Sequence, residues 1–226
     1  MTAVGTKSPE ILDYWRRFYA AHAAGVPMQP SDFAQQMRRD HGLTGLVVDI
    51  GTGSGRDALW IAGRATSVIA CDATSEAVDL VRHAARVRRH TNIDVRRVNI
   101  GLPGDLAALS TAIGQWRTAN QNDDESVTLY ARFLLHAIPV EIEWALVAWA
   151  RSVLHVGERF LLEYRTAELD ADEYVFGSHY RRPVDPAEFI QVARQAGFSQ
   201  VHTEMSRDFA VFGDERPLVA RSTLEV

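Results

Sequence analysis

From about residue 46 onward, short runs rich in β-branched residues alternate with stretches whose apolar residues recur every three or four positions. The runs at 46–50, 67–71, 93–98, 126–130 and 159–163 predict five strands. Helical spacing predicts helices at about 56–64, 76–88, 105–117 and 140–154, the last carrying Ile142, Leu146, Trp149 and Val153 on one face. This alternation predicts an α/β fold, a doubly wound and mostly parallel sheet with helices on both faces. Near the C-terminus, Asp185-Pro186-Ala187-Glu188 combines an acidic N-cap with a proline at the first helical position, and Gly197 supplies a stop, so 186–196 is predicted helical. The runs at about 200–206 and 218–225 have no crossover helix between them, which predicts an antiparallel C-terminal hairpin and a seven-stranded sheet.

The first 45 residues break this rhythm. Ile11 to Tyr19 is an aromatic helical stretch, Gly25, Pro27 and Pro30 interrupt it, and Ser31-Asp32 opens a second helix. We read 1–45 as an N-terminal helical cap and 46–226 as the main domain, with a lid loop at about 164–184. A net charge of −5 and the lack of a long basic block exclude a nucleic-acid backbone as main partner. A single cysteine, Cys71, excludes an internal disulfide and suits a reducing compartment. No stretch reaches the roughly 18 apolar residues of a membrane helix. The polar start lacks a signal peptide's apolar centre, so the expected location is the cytoplasm. The exposed face of the edge hairpin suits a homodimer.

Directly after the first strand comes Asp49-Ile50-Gly51-Thr52-Gly53-Ser54-Gly55, a turn whose backbone can bend sharply and approach a ligand. The dinucleotide fingerprint needs glycine at position 56, which is Arg56. The pattern instead resembles the first motif of class I S-adenosylmethionine-dependent methyltransferases, D/E-x-G-x-G-x-G, and Asp72 at the end of the second strand matches that family's ribose-binding acid. The resemblance implies S-adenosylmethionine (SAM) as cofactor and S-adenosylhomocysteine (SAH) as product. It implies that Gly51, Thr52, Gly53 and Gly55 line the methionine part, Asp49 faces its amino group, and Asp72 with Ala73 holds both ribose hydroxyls. Where the family often carries an acid for the adenine amine, this chain has Asn99-Ile100, whose amide oxygen and side chain can serve the ring. Arg132 can pair with the cofactor's carboxylate or with an internal acid such as Glu163. Trp15, Tyr19 and Ser31 resemble the cap that covers the cofactor in relatives.

A hydroxyl acceptor needs a base. His136 is the first candidate and His179, in the lid, the second; a buried structural histidine is the other reading of His136. Phe133, Glu163, Tyr164, Arg165, Tyr180 and Arg181 are the candidate substrate contacts. The residues from Arg132 to His136, with the later His179 to Arg182, resemble methyltransferases of saccharide synthesis, which implies a sugar or oligosaccharide hydroxyl as acceptor. A small natural product, a thiol or a metalloid oxyanion is the alternative acceptor, and a catalytically silent SAM-binding module the alternative class. No spacing selects a metal: Mg2+ would suit the oxygen donors of Asp170, Asp172 and Glu173, which read equally as a solvated acidic loop.

Overall fold

The computed structural model describes residues 8–21, 29–120, 126–166, 180–211 and 216–226. Along the chain run α1 (Ser8–Ala21), α2 (Asp32–His41), β1 (Leu46–Ile50), α3 (Arg56–Ala62), β2 (Ser67–Asp72), α4 (Ser75–Val87), β3 (Ile93–Arg97) and α5 (Pro103–Ala119). Then follow β4 (Val127–Arg132), a single 3-10 turn (Leu135–Ala137), α6 (Val140–Val153), β5 (Arg159–Arg165), α7 (Pro186–Gln195), β6 (Gln200–Ser206) and β7 (Val219–Glu225).

The strands form one seven-stranded sheet in the order β3-β2-β1-β4-β5-β7-β6. β1 lies between β2 and β4 in parallel register, Val48 opposite both Ile69 and Leu129, and all five of its residues are buried. That explains its unbroken apolar run: a central parallel strand is covered on both faces. One face packs Leu109, Ile113, Leu146, Phe160 and Phe189 beneath α5, α6 and α7. The other packs Phe33, Leu59, Val78, Val81, Tyr130 and Leu161 beneath α2, α3 and α4. The C-terminal pair is antiparallel as the pattern predicts, with β7 inserted beside β5 and β6 left at the edge.

Two boundaries move with consequences for the site. β4 runs to Arg132 and β5 to Arg165, each beyond its predicted end, because Arg132 pairs across to Glu163 and Arg165 to Val219. Both arginines thus stand at strand termini. The predicted lid at about 164–184 is shortened from both sides, since Arg165 belongs to β5 and Val184 forms a parallel bridge to Thr166. The part between lies outside the described residues, and with it His179, Asp170, Asp172 and Glu173. α5 starts at Pro103, ahead of its predicted start, with proline in the first turn and no side-chain cap to announce it.

The entry to β4 depends on one buried acid. Glu158 accepts hydrogen bonds from Val127 N (2.9 Å) and His155 N (2.7 Å) and pairs with Arg117. Removing it orphans two backbone donors and leaves the Arg117 guanidinium with its bond to Val153 O but no countercharge from Glu158. Glu158→Ala is therefore expected to lose about 3–5 kcal/mol in urea unfolding, with Glu158→Gln retaining part of that.

Candidate active site

Strand order reverses between β1 and β4, so the connections leaving those two strands diverge and open a crevice at the carboxyl ends. A cavity of about 750 Å³ fills it. Its floor is the turn after β1, its roof α1, and its far wall the segment from Arg132 to Ile142.

The turn is built around glycine. Gly53 has φ +55°, and a Cβ there would lie 2.5 Å from the Tyr19 hydroxyl, so only a bare backbone lets α1 close this tightly. Gly53 N donates to Asp72 Oδ2 at 3.1 Å, which ties the turn to the end of β2. Thr74 donates to Asp72 Oδ1 twice, through N and Oγ1, both at 2.9 Å. The Ala73 backbone also bonds this carboxylate, so most of its acceptor capacity is used within the protein, where the sequence reading has it hold both hydroxyls of a diol. Asp49 Oδ2 accepts from Thr52 Oγ1 at 2.7 Å. Burial pushes the Asp49 carboxyl up to about 7 against the pull of that hydrogen bond, with Asp57 and Asp72 adding repulsion. Burial also raises Asp72, and it raises the Tyr19 phenol with help from both aspartates.

Of the predicted cofactor residues, Asp49, Gly51, Thr52, Gly53, Asp72, Ala73, Asn99, Ile100, Arg132, Trp15 and Tyr19 line the cavity. Asn99 Oδ1 already accepts from Gly101 N at 3.0 Å, leaving its second lone pair for an amine. Two others do not reach the cavity. Gly55 (φ +78°) faces α4 instead, where a Cβ would meet Val81 at 2.6 Å, so it serves helix packing. Ser31 caps α2 through Ala34 N and donates from both N and Oγ to Asp57 at 2.7 Å. Asp57 also accepts from the Tyr130 hydroxyl at 2.9 Å, so this buried acid joins α2, α3 and β4.

On the opposite wall, Phe133, Arg165, Arg181 and His136 line the cavity, whereas Glu163, Tyr164 and Tyr180 do not. Glu163 is sealed between Arg132 Nε and Arg221 Nε, both at 2.8 Å, and burial lifts its carboxyl against the pull of the two arginines. Tyr164, next along the strand, points to the opposite face; it packs on Phe189 and bonds Ser222 at 2.9 Å. Phe133 sits at φ +56°, a conformation that costs a non-glycine residue about 1–2 kcal/mol. Its ring meets His136 edge-on at 5.6 Å and lies 4.4 Å beneath the Arg132 guanidinium.

His136 is on the 3-10 turn and buried. Its Nδ1 accepts from Arg165 N at 3.4 Å, which places the proton of the neutral ring on Nε2. Nε2 is then a donor; the base role needs the opposite tautomer.

No family model and no curated protein matches the sequence. Solved structures do. A SAM-dependent methyltransferase from Anabaena variabilis aligns with a TM-score of 0.70 at 16% identity, over 100% of this chain and 98% of its own. The cyclase SpnF aligns at 0.67 and 13% identity, over 100% of this chain and 97% of its own. Magnesium protoporphyrin IX methyltransferase from Synechocystis, with bound SAH, aligns at 0.59 and 14% identity, over 100% of this chain and 90% of its own.

This chain has the class I methyltransferase fold.

Within that fold the cavity also has an apolar wall, of which the sequence reading assigns no site role to Ile11, Leu12, Pro139 and Ile142. Ile11, Leu12 and Phe18 from the roof and Leu134, Ile138, Pro139 and Ile142 from the far side line the cavity. For Leu134 to Ile142 the position after β4 is the available signal, and for Ile11, Leu12 and Phe18 their place on the cap helix, because apolar residues in a helix otherwise read as core. Among the described residues no cluster of three or more His, Cys, Asp or Glu is placed to hold a metal, and no helix is long and apolar enough to cross a membrane.

The raised Asp49 carboxyl has a consequence for stability. The folded state holds a proton on Asp49 that the unfolded chain has released above the ordinary carboxylate range, so this group's contribution falls as pH rises from about 4 to about 7. Asp49→Asn keeps an acceptor for Thr52 without the charge. In urea titrations it is expected to be more stable than the parent at pH 8, with a flatter profile between pH 5 and 8.

Proposed function

We propose that this protein is a SAM-dependent methyltransferase acting on an oxygen of a small molecule with an apolar body. The observation that carries the reading is the glycine turn itself: a side-chain-free bend between two buried aspartates, closed over by Tyr19, at the switch point of the sheet. Two carboxylates in a low-dielectric site favour a cationic partner that offers hydroxyls and an ammonium, and SAM carries both. Gly51, Thr52 and Gly53 would line its methionine part, Asp49 would face the ammonium, Asp72 one ribose hydroxyl, and Asn99 with Ile100 the adenine. Arg132, at the end of β4, would meet the carboxylate. When bound, this cofactor supplies an electrophilic methyl group on a sulfonium.

The chain's own part is positioning and exclusion of water. α1 roofs the cavity, and Ile138 with Ile142 supports the acceptor's apolar body. His136 offers Nε2 to the acceptor oxygen, orienting it through a donated hydrogen bond. A sugar hydroxyl, the acceptor implied by the saccharide-enzyme resemblance, loses two of its contacts here, since Glu163 and Tyr164 are turned into the interior. The largely apolar wall favours a less polar molecule.

Calorimetry with SAH tests the cofactor assignment directly. Measurable SAH binding with none for NAD is expected, and the reverse order would refute the reading. Asp72→Ala is expected to lose about 2 kcal/mol, roughly thirtyfold in Kd. Gly53→Ala should weaken SAH binding too, and should also displace Tyr19, visible as a change in tryptophan fluorescence through Trp15, whose ring stacks 6.0 Å from that of Tyr19.

A further inference from the structure

Three charges meet beside the cavity, and only one of them reaches it. Glu163 on β5 divides its carboxylate: Oε1 accepts from Arg132 Nε and Oε2 from Arg221 Nε, both at 2.8 Å. The Glu163 side chain is 1% exposed, that of Arg221 on β7 5% and that of Arg132 20%, and of the three Arg132 alone lines the cavity. Arg221 is locked from further directions by Gln36 Oε1 of α2, by the Phe209 carbonyl at 3.0 Å, and by the rings of Phe33 and Phe209, 5.4 and 4.1 Å from its guanidinium. A carboxylate facing a single arginine commonly takes it through both oxygens. Here Arg221 holds one of the two, so Arg132 is bound at Nε and its Nη edge lies beyond that bond. Among the described residues Arg132 makes no hydrogen bond through either Nη. Asp57, a second acid acting on it, holds Ser31 and Tyr130 with its two oxygens. One face of the guanidinium meets the ring of Phe133 at 4.4 Å, whose backbone stands at φ +56° with its N donating to Glu163 O at 2.7 Å. Strained backbone persists where its surroundings over-determine it, and here it sets an aromatic platform against Arg132.

We infer that Arg221, which does not itself reach the cavity, is a positioning residue for the carboxylate of the cofactor's methionine end, acting through Glu163 and Arg132. The inference rests on the proposed cofactor and deepens that reading. An amino-acid group carries an ammonium and a carboxylate on one carbon. Asp49 and Arg132, near enough to act on each other's charge, offer the matching acid and base. A carboxylate meets the Nη edge of an arginine through charge-assisted hydrogen bonds, whose strength depends on their direction. Without Arg221, Glu163 can turn both oxygens on Arg132, which draws that edge away from the cavity and spends its donors inside the protein.

Two ligands separate positioning from support of the fold: SAH, and its decarboxylated analogue, which keeps the nucleoside, the sulfur and the ammonium and lacks only the carboxylate. By calorimetry the parent protein is expected to bind SAH about tenfold tighter than the analogue. Arg132→Gln should erase that difference. Arg221→Gln should weaken SAH binding roughly fivefold and leave the analogue within about twofold of the parent, and Arg221→Lys should recover part of the loss. The double variant Arg132→Gln/Arg221→Gln should bind SAH no more weakly than Arg132→Gln alone, because the two residues act in series. Glu163→Asp keeps every charge and moves the carboxylate by one methylene; it should also weaken SAH and spare the analogue, and it carries the test should Arg221→Gln not fold. Equal affinity of the parent for the two ligands, a loss in Arg221→Gln or Glu163→Asp that both ligands share, no loss for SAH, or additive losses in the double variant would each overturn the inference. Failure of the parent to bind either ligand would instead remove the cofactor reading beneath it.

Discussion

Burying negative charge without a fixed countercharge is costly, and this molecule does so at the point where its sheet divides. Among the described residues Asp49, Asp57 and Asp72 are all buried and are held by hydroxyls and backbone N–H groups: Thr52 for the first, Ser31 and Tyr130 for the second, Gly53 and Thr74 for the third. Hydrogen bonds of this kind orient a carboxylate, but they do not neutralise it. The lift of the Asp49 carboxyl to about 7 is the visible sign of that cost. A cation held between these carboxylates, as the proposed function requires, would offset that cost.

The basic side is arranged differently. Glu163 compensates Arg132 and Arg221 in a cluster whose outer members reach Gln36 and the Phe209 carbonyl, which ties α2 to the sheet. Arg165 and Arg181 line the cavity wall. Similar folds do different things with such a cavity, as a cyclase among the structural neighbours illustrates, so function must be argued from the wall and not from the sheet.

The architecture was legible because it rests on periodicity. β1 and α6 announce themselves through runs and repeats, and the Asp185-Pro186 cap marks α7 within a residue. The glycine turn was legible for the same reason, being a local feature. What could not be read were the partners that lie far along the chain. Glu163 reads as a strand-end acid bordering the crevice, but Arg221, 58 residues later, closes over it. Ser31 reads as a cap near the ligand, and so it is a cap, but its second partner Asp57 is 26 residues away and draws it inward. Gly55 fits the motif, but its missing side chain makes room for Val81, a residue of the next helix. The tautomer of His136 depends on the backbone of Arg165, which no side-chain pattern reports.

The Tyr19 hydroxyl resting on the bare backbone of Gly53 has a kinetic side. A ligand lying in that bend is covered by α1, whose other attachments include the solvent-exposed pair Arg16–Glu76 at 3.3 Å. Under the proposed function, release of the bound group would depend on how firmly this aromatic helix is seated, and a change at its outward-facing positions would alter the rate of release without touching any reacting atom.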